Sequence, residues 1–213
     1  MPLTFLAFFL LFLGTANLIA GRVQSKDKEL RSKYLEKESE ANSIKKVDPE
    51  LIPTLTISND VLASLESLLD REEDEAIMNE LTILNQCLSS PMMNFTNQSN
   101  TDLKLKYGTA NLSLISEYDN NYVQYITSLS RLTAILLNDP DLTIARQLSE
   151  HAIAIGSDIS LQYETLGRIY ISLGMSDKID YLMNKAESLT SLSKESIILK
   201  LCSLVKDNNN NIV

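Results

Sequence analysis

Side chains capable of catalysis are few in this chain, and their spacing forms no catalytic motif. His151 is the only histidine, and it directly follows Glu150 in a helical pattern. A histidine base needs a nucleophile beside it, and the surrounding pattern offers none. The six glycines are scattered and form neither GxGxxG nor GxxxxGK, so the chain lacks a phosphate-binding loop. We therefore predict that the protein is not an enzyme and holds no cofactor.

Metal binding is the other chemistry to consider, and the acidic run 72–75 is the only segment with several possible ligands. Its carboxylates lack the ordered spacing of metal ligands and are typical of a helix start. Cys87 and Cys202 each lie in an apolar helical pattern without a CxxC partner. Free cysteine packs as a small apolar side chain. The sequence therefore predicts two buried thiols and no metal site.

The N-terminal stretch 2–21 contains no ionisable side chain. About 20 helical residues cross a bilayer core of about 30 Å, so the stretch is predicted to be a transmembrane anchor, 1–21. Small residues such as Ala16 and Ala20 leave a cleaved signal peptide of an exported protein as the alternative. Five Lys or Arg residues follow between positions 22 and 33, which favours a cytoplasmic C-terminal domain on the cell membrane. The alternative location of that domain is extracellular.

Charge is unevenly distributed along the chain, whose formal net charge is −9. The segment 22–46 carries an excess of positive charge, whereas 47–90 is strongly acidic. Because nucleic-acid phosphates require a positive surface, the overall acidity argues against a nucleic-acid partner. The expected contacts are with the membrane, through 2–21, and with other proteins.

Helical spacing of apolar residues dominates the rest of the chain and predicts an all-α protein. A charged, solvated helical stalk and a linker occupy 22–57, because Pro49 and Pro53 interrupt the pattern. An N-terminal helical part is predicted at 58–125, with either one long helix or two helices broken near 119–121. Helical hairpins with a final capping helix follow at 126–206, and an Asn-rich tail, 207–213, is predicted to be disordered.

A repeat signature lies near the C-terminus. Its residues are spaced as in a tetratricopeptide repeat, a 34-residue unit of two helices: Tyr163, Leu166, Gly167, Tyr170, Gly174 and Ala186. Gly167 is expected to let the second helix of the hairpin approach the first. An offset of 34 residues places a weaker copy at Leu129, Leu132, Ala145 and Ala152. The predicted fold is thus a transmembrane helix followed by a tetratricopeptide-like α-solenoid.

A solenoid of this kind binds protein or peptide partners in a concave groove. We predict that the first helix of each repeat lines this groove, through Ser128, Arg131, Gln162 and Arg168. The predicted function is protein–protein interaction by a membrane-anchored helical-repeat domain. The alternative is a structural membrane protein that self-associates through 58–125 into a homo-oligomer.

Three segments extend the comparison to the whole chain: 40–46 (EANSIKK), 101–112 (TDLKLKYGTANL) and 155–159 (IGSDI). In these segments the chain resembles single-pass membrane proteins of low-GC Firmicutes that end in a tetratricopeptide-like domain. The resemblance implies the architecture of an anchor followed by helical repeats. It implies no activity.

Overall fold

A computed structural model describes residues 2–71 and 74–210, and within these ranges the chain is helical without a β-strand. The predicted all-α class is thereby confirmed. The helices are α1 (Pro2–Ser43), α2 (Asn59–Ser67), α3 (Glu75–Leu88), α4 (Asn100–Tyr107), α5 (Leu112–Ile135), α6 (Thr143–Ala154), α7 (Ser160–Ser172), α8 (Asp177–Glu187) and α9 (Lys194–Asn210). Short 3-10 turns lie at Pro49–Leu51, Thr109–Asn111 and Leu136–Asn138. The chain divides into a first unit, 1–48 with 99–112, and a second unit, 49–98 with 113–213.

Helix α1 begins at Pro2 and continues without a break to Ser43. Most side chains of the predicted anchor, 2–21, lie outside those that the structure describes; Phe8 and Thr15 are the exceptions. Among the described residues, no helix has both the length and the apolar character that crossing a membrane requires.

The C-terminal part of α1 is not simply a solvated stalk, because α4 packs against it within the first unit. Ala41 is fully buried. Glu38 accepts hydrogen bonds from Lys104 Nζ and from Thr101 Oγ1, the latter at 2.6 Å. These donors hold the pKa of Glu38 below its usual value, with Lys104 as the main cause. The stalk prediction is corrected accordingly, since the partners of α1 lie more than 60 residues away in the sequence.

Gly108 marks the closest backbone approach in the first unit. Its φ is +83°, and a Cβ atom there would lie 2.7 Å from the carbonyl oxygen of Lys45. The buried Asn111 side chain donates from Nδ2 to the carbonyl oxygens of Val47 and Tyr107, at 2.7 and 2.8 Å. The segments 40–46 and 101–112 thus lie together. Sequence analysis placed 101–112 with 58–125, whereas the structure groups it with 1–48.

The second unit contains two apolar clusters. The first is formed mainly by α2, α3, α5 and α6, with Leu84, Leu129 and Leu148 fully buried. Asp74 begins α3 by accepting hydrogen bonds from the amides of Ala76 and Ile77, as expected for an acidic helix start. Residues 72 and 73 of the predicted acidic run lie outside the described part. Helix α5 is one continuous helix rather than two.

The second cluster is formed by α7, α8 and α9 together with Ile153. The apolar signature residues Tyr163, Leu166, Tyr170 and Ala186 are all buried in it. Gly167 allows a close approach, but to a different helix from the one predicted: a Cβ there would lie 3.1 Å from Leu204 Cδ1 of α9 and 3.9 Å from Leu182 Cδ2 of α8. The first helix of the hairpin therefore presses most closely on the helix that follows the hairpin.

Glycines end two consecutive helices in the same way. Gly156 has φ +93° and Gly174 has φ +68°. In each case the next residue donates its amide hydrogen back to the last turn, from Ser157 to Ala152 at 2.9 Å and from Met175 to Tyr170 at 2.8 Å. These bonds satisfy carbonyl groups that a helix end leaves unpaired.

The polar segment after α3, 89–98, was predicted as a loop and is packed more tightly than a solvated loop. Met92 and Phe95 are buried. Asn94 Nδ2 donates to Tyr122 Oη at 2.9 Å and lies 3.4 Å from the carbonyl oxygens of Ile155 and Gly156. The loop is therefore attached to the turn between α6 and α7.

The predicted disordered tail also differs from the structure. Helix α9 continues to Asn210, and only 211–213 lie outside the described residues. No Gly or Pro follows Leu204 to stop the helix. Asn208 is partly buried, so contacts with neighbouring helices extend α9 beyond the predicted end.

We predict that Gly156→Ala destabilises the second unit more than Gly174→Ala. Both substitutions force a left-handed backbone on alanine, at a cost of about 1–2 kcal/mol. Only at position 156 would the new Cβ meet an atom, Asn94 Nδ2 at 2.7 Å, whereas nothing lies within 4 Å at position 174. Displacing Asn94 adds about 1 kcal/mol through lost hydrogen bonds. Urea unfolding of the full chain measures the difference, and equal losses would contradict the role of Asn94.

Candidate functional site

A groove forms in the second unit where three helical segments lie side by side. We define it by its lining residues, which come from the 3-10 turn after α5, from α7 and from α9: Leu137, Asn138, Arg168, Ile171, Ser172, Leu204, Asp207 and Asn208. Its volume is about 430 Å³. Cavities of roughly 300–1,000 Å³ are the usual size of ligand sites. The groove is therefore large enough to accept side chains of a partner.

The chemistry of the groove is mixed. Leu137, Ile171 and Leu204 are partly buried and supply an apolar floor. Amides and hydroxyls come from Asn138, Ser172 and Asn208, which can pair with a peptide backbone. Arg168 and Asp207 add one charge of each sign. Such a surface suits recognition by burial of apolar side chains with polar contacts at the edge.

The guanidinium of Arg168 is held in place by a charged group on its own helix. Arg168 Nη2 lies 2.9 Å from Glu164 Oε1, and Lys200 Nζ of α9 lies 3.0 Å from Glu164 Oε2. The Arg168 bond, and then the Lys200 bond, lower the pKa of Glu164. Because two cations share one carboxylate, positive charge remains at this edge of the groove.

The structure places the four predicted groove residues in different surroundings. Arg168 lines the groove and is exposed. Arg131 is exposed on α5, with Nη1 3.9 Å from Glu80 Oε1. Ser128 is buried and donates to Glu80 Oε2 at 2.6 Å, and Gln162 is buried and donates from Nε2 to Thr133 Oγ1 at 3.2 Å. A partner cannot reach Ser128 or Gln162, so these two predictions are corrected.

Sequence analysis did not identify the other groove residues, although the repeat period carries a signal for them. Leu137 and Ile171 are 34 residues apart, and so are Asn138 and Ser172. Leu204 follows Ile171 by 33 residues. The repeat offset, applied to the ends of the first helices rather than to their middle, would have selected them. The middle residues were misplaced because helical periodicity alone does not say which neighbour covers a polar side chain.

Catalytic and metal-binding arrangements were sought in the same way. His151 lies next to Tyr125, whose hydroxyl oxygen is 3.1 Å from Nε2, and burial lowers the pKa of His151. The same burial raises the pKa of Tyr125. In the ranges 2–71 and 74–210, no three His, Cys, Asp or Glu side chains come together as a metal site would require. Cys87 is buried, as predicted, whereas Cys202 is only partly so.

We predict that stability falls as the pH drops from about 7 to about 5.5, through His151. Its pKa is lowered in the folded chain, so the unfolded chain binds the extra proton first, below its ordinary pKa of about 6.5. Stability is therefore lost as the pH decreases, by up to about 1.4 kcal/mol per pH unit. Urea unfolding at several pH values measures this slope. His151→Gln removes the only imidazole, and an unchanged slope in that variant would assign the effect to carboxylates instead.

Comparison of the chain with known protein families, curated proteins and solved structures finds no match.

Proposed function

We propose that this protein is a helical-repeat interaction module that binds a peptide segment of another protein in the groove. The observation that carries the proposal is the repetition of the groove residues: equivalent positions on successive helical segments place Leu137, Ile171 and Leu204 along one strip. An apolar strip flanked by polar side chains favours a segment that presents several apolar side chains in a row. The tetratricopeptide-like spacing of the signature residues supports the same function.

The charges at the groove suggest how such a segment would be oriented. Arg168 and Lys200 share Glu164, which leaves an excess of positive charge on one side, whereas Asp207 is negative. We expect a bound segment to place an acidic side chain near Arg168. Charged contacts at a partly exposed edge contribute mainly to orientation and to the rate of association.

We further propose that the module is tethered to the cell membrane with its second unit in the cytoplasm. This part rests on the sequence alone, on the uncharged stretch 2–21 and on the basic residues that follow it. Tethering would concentrate the groove near partners at the same membrane. Binding of a single segment could then be weak and still be effective.

Topology is tested with reporter fusions at Val213, one active only inside the cell and one active only outside. We expect activity from the inside reporter because the basic residues follow the uncharged stretch. Sequencing the N-terminus of the mature protein is the matched control, since a cleaved signal peptide would remove 2–21. Activity of the outside reporter would contradict the cytoplasmic location and favour the exported alternative.

Peptide binding is tested by selecting segments from a displayed peptide library on the purified full chain and measuring their affinity by fluorescence anisotropy. We expect Ser172→Phe, which fills the groove, to weaken binding at least about 10-fold, equivalent to about 1.4 kcal/mol. Arg168→Glu is expected to weaken binding most for peptides that carry an acidic residue.

Ser203→Phe is the matched control, because Ser203 is an exposed serine of α9 outside the groove. Circular dichroism establishes that each variant keeps its helix content. Equal affinity of the Ser172→Phe variant and the unaltered chain, or failure to select any peptide, would contradict the proposal.

A further inference from the structure

A second concave site lies between α6, α7 and α8, and we refer to it as the cleft. Its volume is about 290 Å³. It shares no lining residue with the groove, although α7 contributes to both. A water molecule occupies about 30 Å³ of liquid, so the cleft offers room for a ligand of about ten non-hydrogen atoms.

Glu150 provides a fixed carboxylate in the cleft. Its Oε1 accepts from Tyr170 Oη at 3.0 Å and from Arg146 Nη1 at 3.2 Å, and its Oε2 lies 3.3 Å from the same Arg146 atom. Tyr170 is buried, so it holds the carboxylate from the interior. A carboxylate has about four acceptor sites, and these contacts leave capacity for another donor. More than a third of the Glu150 side chain is exposed, so a ligand can reach it.

Lys178 of α8 provides a cation at the same cleft. Within the described part of the chain, Lys178 forms no ion pair, whereas Arg146 is paired with Glu150. The three charged groups therefore sum to one positive charge, in a protein whose formal net charge is −9. An ammonium group without a carboxylate partner is available to an anionic group of a ligand.

The remaining walls of the cleft are apolar. Ile153 and Leu166 are almost fully buried, and Ala154 is exposed and small. Tyr181 lines the cleft and is half exposed, at 50%. A short aliphatic side chain would lose water contact against these groups, which favours binding.

We propose that the cleft binds a free apolar α-amino acid, whose carboxylate pairs with Lys178, whose ammonium pairs with Glu150 and whose side chain contacts Ile153, Ala154 and Leu166. A simple carboxylate would meet Lys178 but leave Glu150 without its donor. A simple amine would meet Glu150 but also the unpaired Lys178. A zwitterion satisfies both groups. This inference goes beyond the proposed peptide-binding function, because it concerns a different site and a small molecule.

The test is calorimetric titration of the purified full chain with L-leucine and two truncated analogues. 4-Methylpentanoate lacks the ammonium group, and 3-methylbutylamine lacks the carboxylate. We expect L-leucine to bind with a Kd below about 1 mM and each analogue to bind at least about 10-fold more weakly. Equal affinity of L-leucine and either analogue would overturn the proposal. So would the absence of saturable binding of L-leucine, valine, isoleucine, methionine and phenylalanine.

Three variants locate the binding site. Lys178→Met is expected to weaken L-leucine binding at least about 10-fold, and Ala154→Phe, which fills the cleft, to abolish it. The control is Lys185→Met, because Lys185 is an exposed lysine of the same helix that does not line the cleft. Equal loss in the control, or full binding in Ala154→Phe, would overturn the assignment. Peptide binding in the groove is measured on the same variants, so failure of one site is distinguished from failure of the other.

Discussion

Close packing around α7 is the constraint on which both candidate sites depend. Gly167 has no side chain, and an added Cβ would lie 3.1 Å from Leu204 and 3.2 Å from Leu201, both on α9. Protein interiors are packed too densely for such a contact to be relieved without movement of the neighbouring helix. Because α7 also contacts α6 and α8, any displacement of α9 would change the groove directly. The cleft lies on another part of the α7 surface and depends on the same helix being fixed.

Buried polar side chains add specificity to these helix contacts. Ser128 donates to the buried Glu80 carboxylate, and Gln162 of α7 donates to Thr133 of α5. A buried polar group without a partner costs about 1–3 kcal/mol, so these pairs disfavour other alignments of the helices. Tyrosine has a similar role where its ring is buried and its hydroxyl is bound, as in Tyr122 and Tyr170. The apolar pattern alone would allow several alignments, and the polar pairs limit them.

Local signals in the sequence predict the helices well and the contacts between distant segments poorly. The α6 to α9 segments follow from apolar spacing and from glycines that end helices, both of which act within one or two turns. The packing of α4 on α1 was not predicted, because it depends on pairs such as Lys37 with Asp102, which are 65 residues apart. Ser128 and Gln162 were placed in a groove for the same reason, since a polar residue looks alike in sequence whether water or a buried partner satisfies it. Arg168 was predicted correctly as a groove residue because it follows the repeat and lies on the open face of α7.

The attachment of Asn94 to the turn between α6 and α7 restricts covalent modification of the chain. Asn94, with Phe95 and Thr96, matches the acceptor pattern for N-linked glycosylation. A glycan would be joined to the amide nitrogen that already donates to Tyr122 and approaches two backbone carbonyl oxygens. The same nitrogen of Asn111, another residue that matches the pattern, is buried and donates to two carbonyl oxygens. Folding therefore closes both positions to sugar attachment, and a glycan on either would have to be added before the chain folds.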